Sequence, residues 1–106
     1  DERFAREAAA MLEDATTRRC VEAERAFLRA LGGGCRVPIG ALAEERDGSL
    51  TMIGMVCSID GKQLVRRELC GDAEQPEALG IRLAQEILPA GGREILRSLE
   101  GESAVL

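Results

Sequence analysis

The sequence predicts an α+β fold in which a three-stranded antiparallel sheet has about three helices packed on one face. Apolar residues recur at helical spacing over residues 2–30 and again over 73–88. Between these stretches, the pairs Asp47-Gly48 and Asp60-Gly61 separate three runs of β-type sequence, and Asp-Gly between such runs is a strong hairpin signal. This order of elements is typical of helices layered on a single sheet.

The first third of the chain predicts two helices. Residues 13–17, Glu-Asp-Ala-Thr-Thr, are expected to interrupt the helical pattern, with Asp14 as the N-cap of the second helix. Gly32 is expected to end that second helix. Its charged residues predict a solvent-exposed face with helix-spaced ion pairs: Arg18, Arg19, Glu22, Glu24, Arg25 and Arg29.

Strands are predicted over residues 36–46, 50–59 and 62–70, and the middle one is apolar on both faces. One face carries Leu50, Met52 and Val56, and the other carries Ile53, Met55, Cys57 and Ile59. A sheet with helices on one side normally alternates apolar and polar residues. Either another domain or chain covers the second face, or this methionine-containing face is half-exposed, and the pattern leaves both interpretations open.

The last third returns to a helical pattern. A helix is predicted over residues 73–88, with Pro76 near its first turn. Pro89 and the pair Gly91-Gly92 are expected to end it, and a short helix is predicted over 93–99. No repeat or low-complexity segment divides the chain, so residues 1–106 are expected to form a single domain.

The composition excludes several classes of function. The net charge is −5, with a single lysine and no Trp or Tyr, which argues against binding to nucleic acid. No apolar run approaches the roughly 20 residues of a membrane helix, and the charged N-terminal stretch has no signal-peptide pattern, so we expect a cytoplasmic protein. Histidine is absent, which removes the commonest general base and metal ligand.

Four cysteines, at positions 20, 35, 57 and 70, are the main candidates for chemistry. They lack the close spacing of a zinc site, so no metal is expected, and a reducing compartment predicts four free thiols. Cys20, Cys57 and Cys70 fall in helix or strand patterns and are most simply small apolar residues. Cys35 differs because it follows three glycines in the stretch "LGGGCRVPIG", where a thiol is open to approach.

Physical reasoning leaves the role of Cys35 undecided. The negative end of the preceding helix disfavours a thiolate, although Arg36 partly offsets this, and no histidine is present to activate the sulfur. Cys35 is therefore either a structural cysteine or a thiol that tethers a covalently attached group.

A family resemblance bears on this choice. The stretches "VEAERAFLRALGGGCRVPIGALAE", "SIDGKQLVRREL" and "AEQPEALGIRLAQEILPAGGREIL", in that order, resemble the C-terminal domain of porphobilinogen deaminase, also called hydroxymethylbilane synthase. The similarity covers roughly residues 14–99, whereas residues 1–13 form a poorly matched lead-in helix. Its most specific part is the helix "AERAFL" leading into Gly-Gly-Cys-x-x-Pro-Ile-Gly.

The resemblance implies that Cys35 bears a dipyrromethane cofactor through a thioether bond. The family enzyme, a transferase of tetrapyrrole and heme biosynthesis, extends this primer with four porphobilinogen units, releases ammonia at each step, and yields hydroxymethylbilane. It implies no catalytic residue in this chain, since two N-terminal domains carry that machinery and bind the growing polypyrrole. Those domains and porphobilinogen are the expected partners, and the chain alone is expected to be inactive.

Alternatives from other classes remain. Arg36 is either a partner for a cofactor carboxylate or a solvated loop charge. The chain is alternatively a binding module that keeps the fold without the chemistry, or a thiol-redox protein that pairs Cys35 with another cysteine. The resemblance supplies no role for Cys20, Cys57 or Cys70.

Overall fold

The computed structural model describes residues 1–32 and 38–97, apart from the side chains of Leu12 and Glu13. The helices and strands, in chain order, are α1 (Glu2–Leu31), β1 (Ile39–Arg46), β2 (Ser49–Cys57), β3 (Leu64–Asp72) and α2 (Pro76–Ile87). The strands form one sheet in the order β1-β2-β3, and both neighbouring pairs are antiparallel. The α+β class and the three-stranded antiparallel sheet are thus confirmed.

α1 is one continuous helix of 30 residues, so the predicted break at residues 13–17 is wrong. Its N-cap is Asp1, whose side chain accepts a hydrogen bond from the backbone N–H of Arg3 at 2.9 Å. No glycine or proline lies within the helix, and each threonine lowers its stability by only roughly a few tenths of a kcal/mol. Asp14 is therefore an interior residue of α1 and not a cap.

The two hairpins differ. β1 and β2 are joined by a two-residue turn at Asp47 and Gly48, whose φ angles are 52° and 78°, as the Asp-Gly pair predicts. The connection from β2 to β3 is instead a loop over residues 58–63, in which the Asp60 carboxylate accepts hydrogen bonds from the Ser58 hydroxyl and the Lys62 N–H. Because β2 ends before this loop, Ile59 is not on the strand, contrary to the sequence-based expectation, and is 64% exposed.

The core lies between one sheet face and the helices. Alternate residues of β2 point inward and are buried, whereas the opposite face of the sheet remains open. The fully buried large side chains are Phe27, Leu50, Met52, Val56, Leu79, Leu83 and Ile87. On the open face Leu42, Met55 and Leu64 remain 53%, 42% and 58% exposed. Over residues 1–32 and 38–97, the helices therefore pack on one face of the sheet.

α1 and α2 approach closely at Gly80. A Cβ atom built on Gly80 would meet the carbonyl oxygen of Ala23 and would lie 2.8 Å from the backbone nitrogen of Phe27. Gly54 on β2 has a similar role, since its Cβ would lie 2.7 Å from the Phe27 ring. Because Gly80 has no side chain, α2 can lie directly against the backbone of α1. Because Gly54 has none, the Phe27 ring can pack directly on β2.

α2 ends where Pro89 and the two glycines predict, but the chain remains coiled beyond it. The chain kinks at Gly91, whose φ of 126° is not helical, and residues 93–97 are again helical. Over its described part, the short helix predicted at 93–99 is therefore present, joined to α2 through this kink. A left-handed glycine allows this change of direction without ending the coil.

Candidate functional site

The predicted attachment residue Cys35 and its neighbour Arg36 lie in residues 33–37, outside the described residues. The structure does describe the two residues that flank this segment. On the α1 side, Leu31 is buried, and Gly32 takes a left-handed conformation with φ 118°. The N–H of Gly32 donates to the Arg29 carbonyl at 3.0 Å, which closes the last turn of α1. The start of the segment is therefore fixed to a helix end that the core holds.

The chain re-enters the fold at Pro38. The carbonyl of Pro38 accepts a hydrogen bond from the Cys57 N–H at 3.0 Å, which extends the β1–β2 pairing by one residue. Ile39 then packs against the core. Gly32 and Pro38 are both exposed. The two residues that flank segment 33–37 are thus exposed, and each takes part in a backbone hydrogen bond.

Side chains also join the two elements that the segment connects, and we call these the α1–β1 contacts. The Arg19 guanidinium donates through both Nε and Nη2 to the Glu45 carboxylate, with the Nη2–Oε2 distance 2.7 Å. Thr16 donates its hydroxyl to the same carboxylate at 3.3 Å. The Ala43 N–H on the edge of β1 donates to Glu24 at 3.1 Å. Arg19 and Glu24 are thus bound to the sheet and do not belong to a solvated face as predicted.

The Arg19–Glu45 pair alters both ionisation equilibria. The hydrogen bond from Arg19 lowers the pKa of Glu45 below its ordinary value, although partial burial opposes this. The same hydrogen bond raises the pKa of Arg19. Both groups are therefore charged at neutral pH, and their ion pair holds α1 against β1. These two elements precede and follow segment 33–37 in the chain.

The three described cysteines are free and stand in different surroundings. Cys20 is half-buried on α1, and burial together with the charges of Glu24 and Glu45 raises the pKa of its thiol. Cys70 is exposed, with its sulfur 3.4 Å from the Thr51 hydroxyl. Cys70 pairs with Thr51 at the opposite end of β2 from Cys57, about 20 Å away at the rise of a strand, so these two thiols cannot form a disulfide.

Cys57 is the cysteine nearest to the candidate site, because its backbone binds Pro38. Its sulfur donates to the Ser58 carbonyl at 3.3 Å. The strand pattern alone gave no sign of this proximity, since the pairing of Pro38 with Cys57 depends on the β1–β2 register. Sequence reasoning also missed the α1–β1 contacts, whose partners lie up to 29 residues apart and share no local pattern.

The described part of the chain, residues 1–32 and 38–97, lacks two kinds of feature. In that part of the chain, no three residues of the types Cys, His, Asp and Glu gather in an arrangement suited to a metal ion. Within the same ranges, neither long helix has an apolar stretch sufficient to span a bilayer.

Comparison with known proteins gives a consistent family. The family model described as porphobilinogen deaminase, C-terminal domain, matches residues 18–89. Porphobilinogen deaminase of Syntrophus aciditrophicus is 52% identical over 91 residues, which are 86% of this chain and 30% of that protein. The protein of the same name from Methylobacillus flagellatus is 48% identical over 93 residues, 88% of this chain and 30% of that protein.

A third relative extends the match. Porphobilinogen deaminase of Carboxydothermus hydrogenoformans is 40% identical over 103 residues, 97% of this chain and 33% of that protein. The chain thus spans about a third of the length of the curated relatives it matches. The chain belongs to the porphobilinogen deaminase family and corresponds to its C-terminal domain.

Proposed function

We propose that this chain acts as the cofactor-bearing C-terminal domain of a longer, cytoplasmic porphobilinogen deaminase, a transferase of tetrapyrrole and heme biosynthesis. In this proposal Cys35 holds a dipyrromethane primer through a thioether. When bound, the primer supplies the pyrrole end to which four porphobilinogen units are joined with loss of ammonia, before hydroxymethylbilane is released. The observation that carries the proposal is the family match across residues 18–89, which includes Cys35.

The residues around the segment fit a surface tether. Gly32 and Pro38, which flank the segment, are both exposed, and this supports an attachment point at the surface of the domain. The Gly32 and Pro38 backbone hydrogen bonds hold the two ends of the segment. A completed thioether needs no lowered thiol pKa, so a position after a helix C-terminus is acceptable for Cys35.

The acidic net charge of the chain bears on which domains of the longer protein bind the substrate. A charge of −5 is unfavourable for binding a polycarboxylate such as a growing polypyrrole. The proposal therefore places the substrate-binding arginines and the reacting groups in the two preceding domains of the longer protein. Those domains and porphobilinogen are the partners, and this chain alone has no turnover. Arg36 stays a candidate partner for a cofactor carboxylate.

Intact-mass measurement tests the attachment residue. The longer parent protein is produced in cells that make porphobilinogen, as wild type, Cys35→Ser and Cys57→Ser. We expect the mass of one dipyrromethane on the wild type and on Cys57→Ser, and none on Cys35→Ser. Cys57→Ser is a matched control because it removes a sulfur from the residue whose backbone binds Pro38. An unmodified wild type, or an adduct that survives Cys35→Ser, contradicts the proposal.

The redox alternative has its own test. Cys57 is the described thiol whose backbone lies beside the segment that contains Cys35. Thiol counting of this chain under mild oxidant is expected to retain four thiols. Paired loss of two thiols, abolished by Cys57→Ser, would instead support a dithiol function.

A further inference from the structure

The first half of α1 carries large apolar side chains that no residue in 1–32 or 38–97 covers. Phe4 and Met11 are each 72% exposed. With Ala8 and Ala15 they recur at intervals of three and four residues, which places all four on one side of the helix. We call these four residues the apolar stripe. Exposed side chains of this size in a regular row are typical of a surface that packs against something else.

The apolar stripe does not continue the face that packs on the sheet. At about 100° per residue, its four members lie within about 60° of one another around the helix axis. The line through Ala23, Phe27 and Leu31, which are buried in the domain core, is rotated from the stripe by about 130°. The stripe therefore points away from the surface that the sheet and α2 occupy.

Isolation also makes this half of α1 weak as a helix. Among its described side chains up to Asp14, all are exposed except the half-buried Ala8. The described ion pair in this half, between Arg6 and Glu2, is exposed at both side chains and contributes little. A helical segment of about 13 residues is marginal in water without packing of an apolar face. The segment is thus helical because it continues the packed half of α1, and a partner on its apolar face would stabilise it further.

The two comparisons differ in where they begin, and this indicates the partner. The C-terminal domain of the family begins to match at residue 18, beyond the apolar stripe. The Carboxydothermus hydrogenoformans relative nevertheless matches 97% of the chain, which includes most of residues 1–17. At least one relative, about three times as long as this chain, therefore has a matching sequence over most of this half of α1, outside the residues that the family model matches.

We propose that the apolar stripe docks into an apolar groove on the polypeptide that precedes the C-terminal domain in the longer protein. This inference rests on the proposed function only in requiring that longer protein. α1 is continuous from Phe4 to Leu31, a span of about 40 Å at 1.5 Å per residue. Docking at one end therefore fixes the other end, where segment 33–37 begins, relative to the preceding domain.

Paired substitutions in two chains test this docking. Phe4→Ser with Met11→Ser removes the stripe, and Ala9→Ser with Ala10→Ser is the control on the opposite side of the same turns. In the longer protein, native-state proteolysis within residues 2–15 is expected to accelerate at least about tenfold with the stripe variant relative to the control, since each buried side chain of this size is worth more than tenfold in opening. In this chain alone, the two variants are expected to be cleaved at equal rates.

Equal cleavage of the two variants in the longer protein overturns the inference. A concentration-dependent dimer of this chain that the stripe variant dissolves also overturns it, because the occupant is then a second copy. The mass of the Cys35 adduct is measured in the same samples. An adduct without a stripe effect leaves the proposed function standing and removes the docking. A stripe effect without an adduct does the reverse.

Discussion

Gly80→Ala adds one methyl group at the point where α2 meets α1. The new Cβ would meet the Ala23 carbonyl oxygen and lie 2.8 Å from the Phe27 nitrogen, and both are backbone atoms of a buried helix. Neither atom can rotate away as the end of a side chain can. The two helices must therefore separate, or α1 must shift along its axis, and either movement disturbs Phe27, which is fully buried.

Two opposing effects set the magnitude. Alanine in place of glycine in a helix interior favours folding by about 1 kcal/mol. Overpacking a close-packed core costs about 1–3 kcal/mol, and contact with backbone places this site at the upper end. We expect a net loss of about 2 kcal/mol from the free energy of unfolding, opposite in sign to the propensity effect.

Equilibrium denaturation in urea, followed by circular dichroism, measures this loss. Gly40→Ala is the matched control, because its Cβ would lie 3.1 Å from the terminal Cε of Met55, which can move. We expect the control to change the free energy of unfolding by less than about 0.5 kcal/mol. A stability of Gly80→Ala equal to or above that of the wild type would refute the close crossing of α1 and α2.

Two further predictions concern titratable groups. The pKa of Glu45 is lowered in the folded state, so its contribution is present above the ordinary glutamate pKa of about 4.3 and is lost as the pH falls through the folded value. The wild type is therefore expected to exceed Glu45→Gln in free energy of unfolding at pH 7, and this difference is expected to shrink as the pH falls below the ordinary glutamate pKa. A difference that does not change with pH contradicts the assignment to the Arg19 pair. Cys20 is half-buried with a raised thiol pKa, whereas Cys70 is exposed. Alkylation mapped by mass spectrometry is therefore expected to label Cys70 before Cys20. Faster labelling of Cys20 than of Cys70 would contradict the packing of α1.

Local patterns were sufficient for the element types and for the sheet. The Asp47-Gly48 pair fixes a hairpin because both of its residues need positive φ, and few other residue pairs tolerate that geometry. The second Asp-Gly pair, Asp60-Gly61, lies inside a longer loop and does not form a two-residue turn. There the Asp60 carboxylate accepts hydrogen bonds from the Ser58 hydroxyl and the Lys62 N–H. A dipeptide signal predicts that the chain reverses there, but side-chain hydrogen bonds decide the length of the loop.

The candidate site was accessible from sequence only in part. Cys35 is singled out by three preceding glycines, but its proposed role depends on the family resemblance and not on spacing. The Gly32 turn at the end of α1 is local, but the contact at Pro38 and the contacts that join α1 to β1 are tertiary. The Pro38–Cys57 hydrogen bond requires a strand register, and the Arg19–Glu45 pair requires α1 to lie beside β1. No window of a single sequence contains both partners of either contact.

The continuity of α1 is the point on which sequence and structure disagree most, and Ala15→Pro separates them. If Asp14 were an N-cap, Ala15 would be the first helical position, where proline is well tolerated. In the continuous helix, proline at 15 removes an interior hydrogen bond and clashes with the preceding turn, at a cost of about 3 kcal/mol. Glu2→Pro is the control, since residue 2 is the first position of α1 after its Asp1 cap.

The readout for this pair is helix content and not global stability, because the first half of α1 makes no contribution to the core. Detached by proline, residues 2–14 are too short to remain helical in water. Far-ultraviolet circular dichroism of Ala15→Pro is therefore expected to lose ellipticity equivalent to about 13 helical residues. Glu2→Pro is expected to match the wild type. An unchanged spectrum for Ala15→Pro would show that α1 is two helices after all, and the fixed span from the apolar stripe to Leu31 would be lost with it.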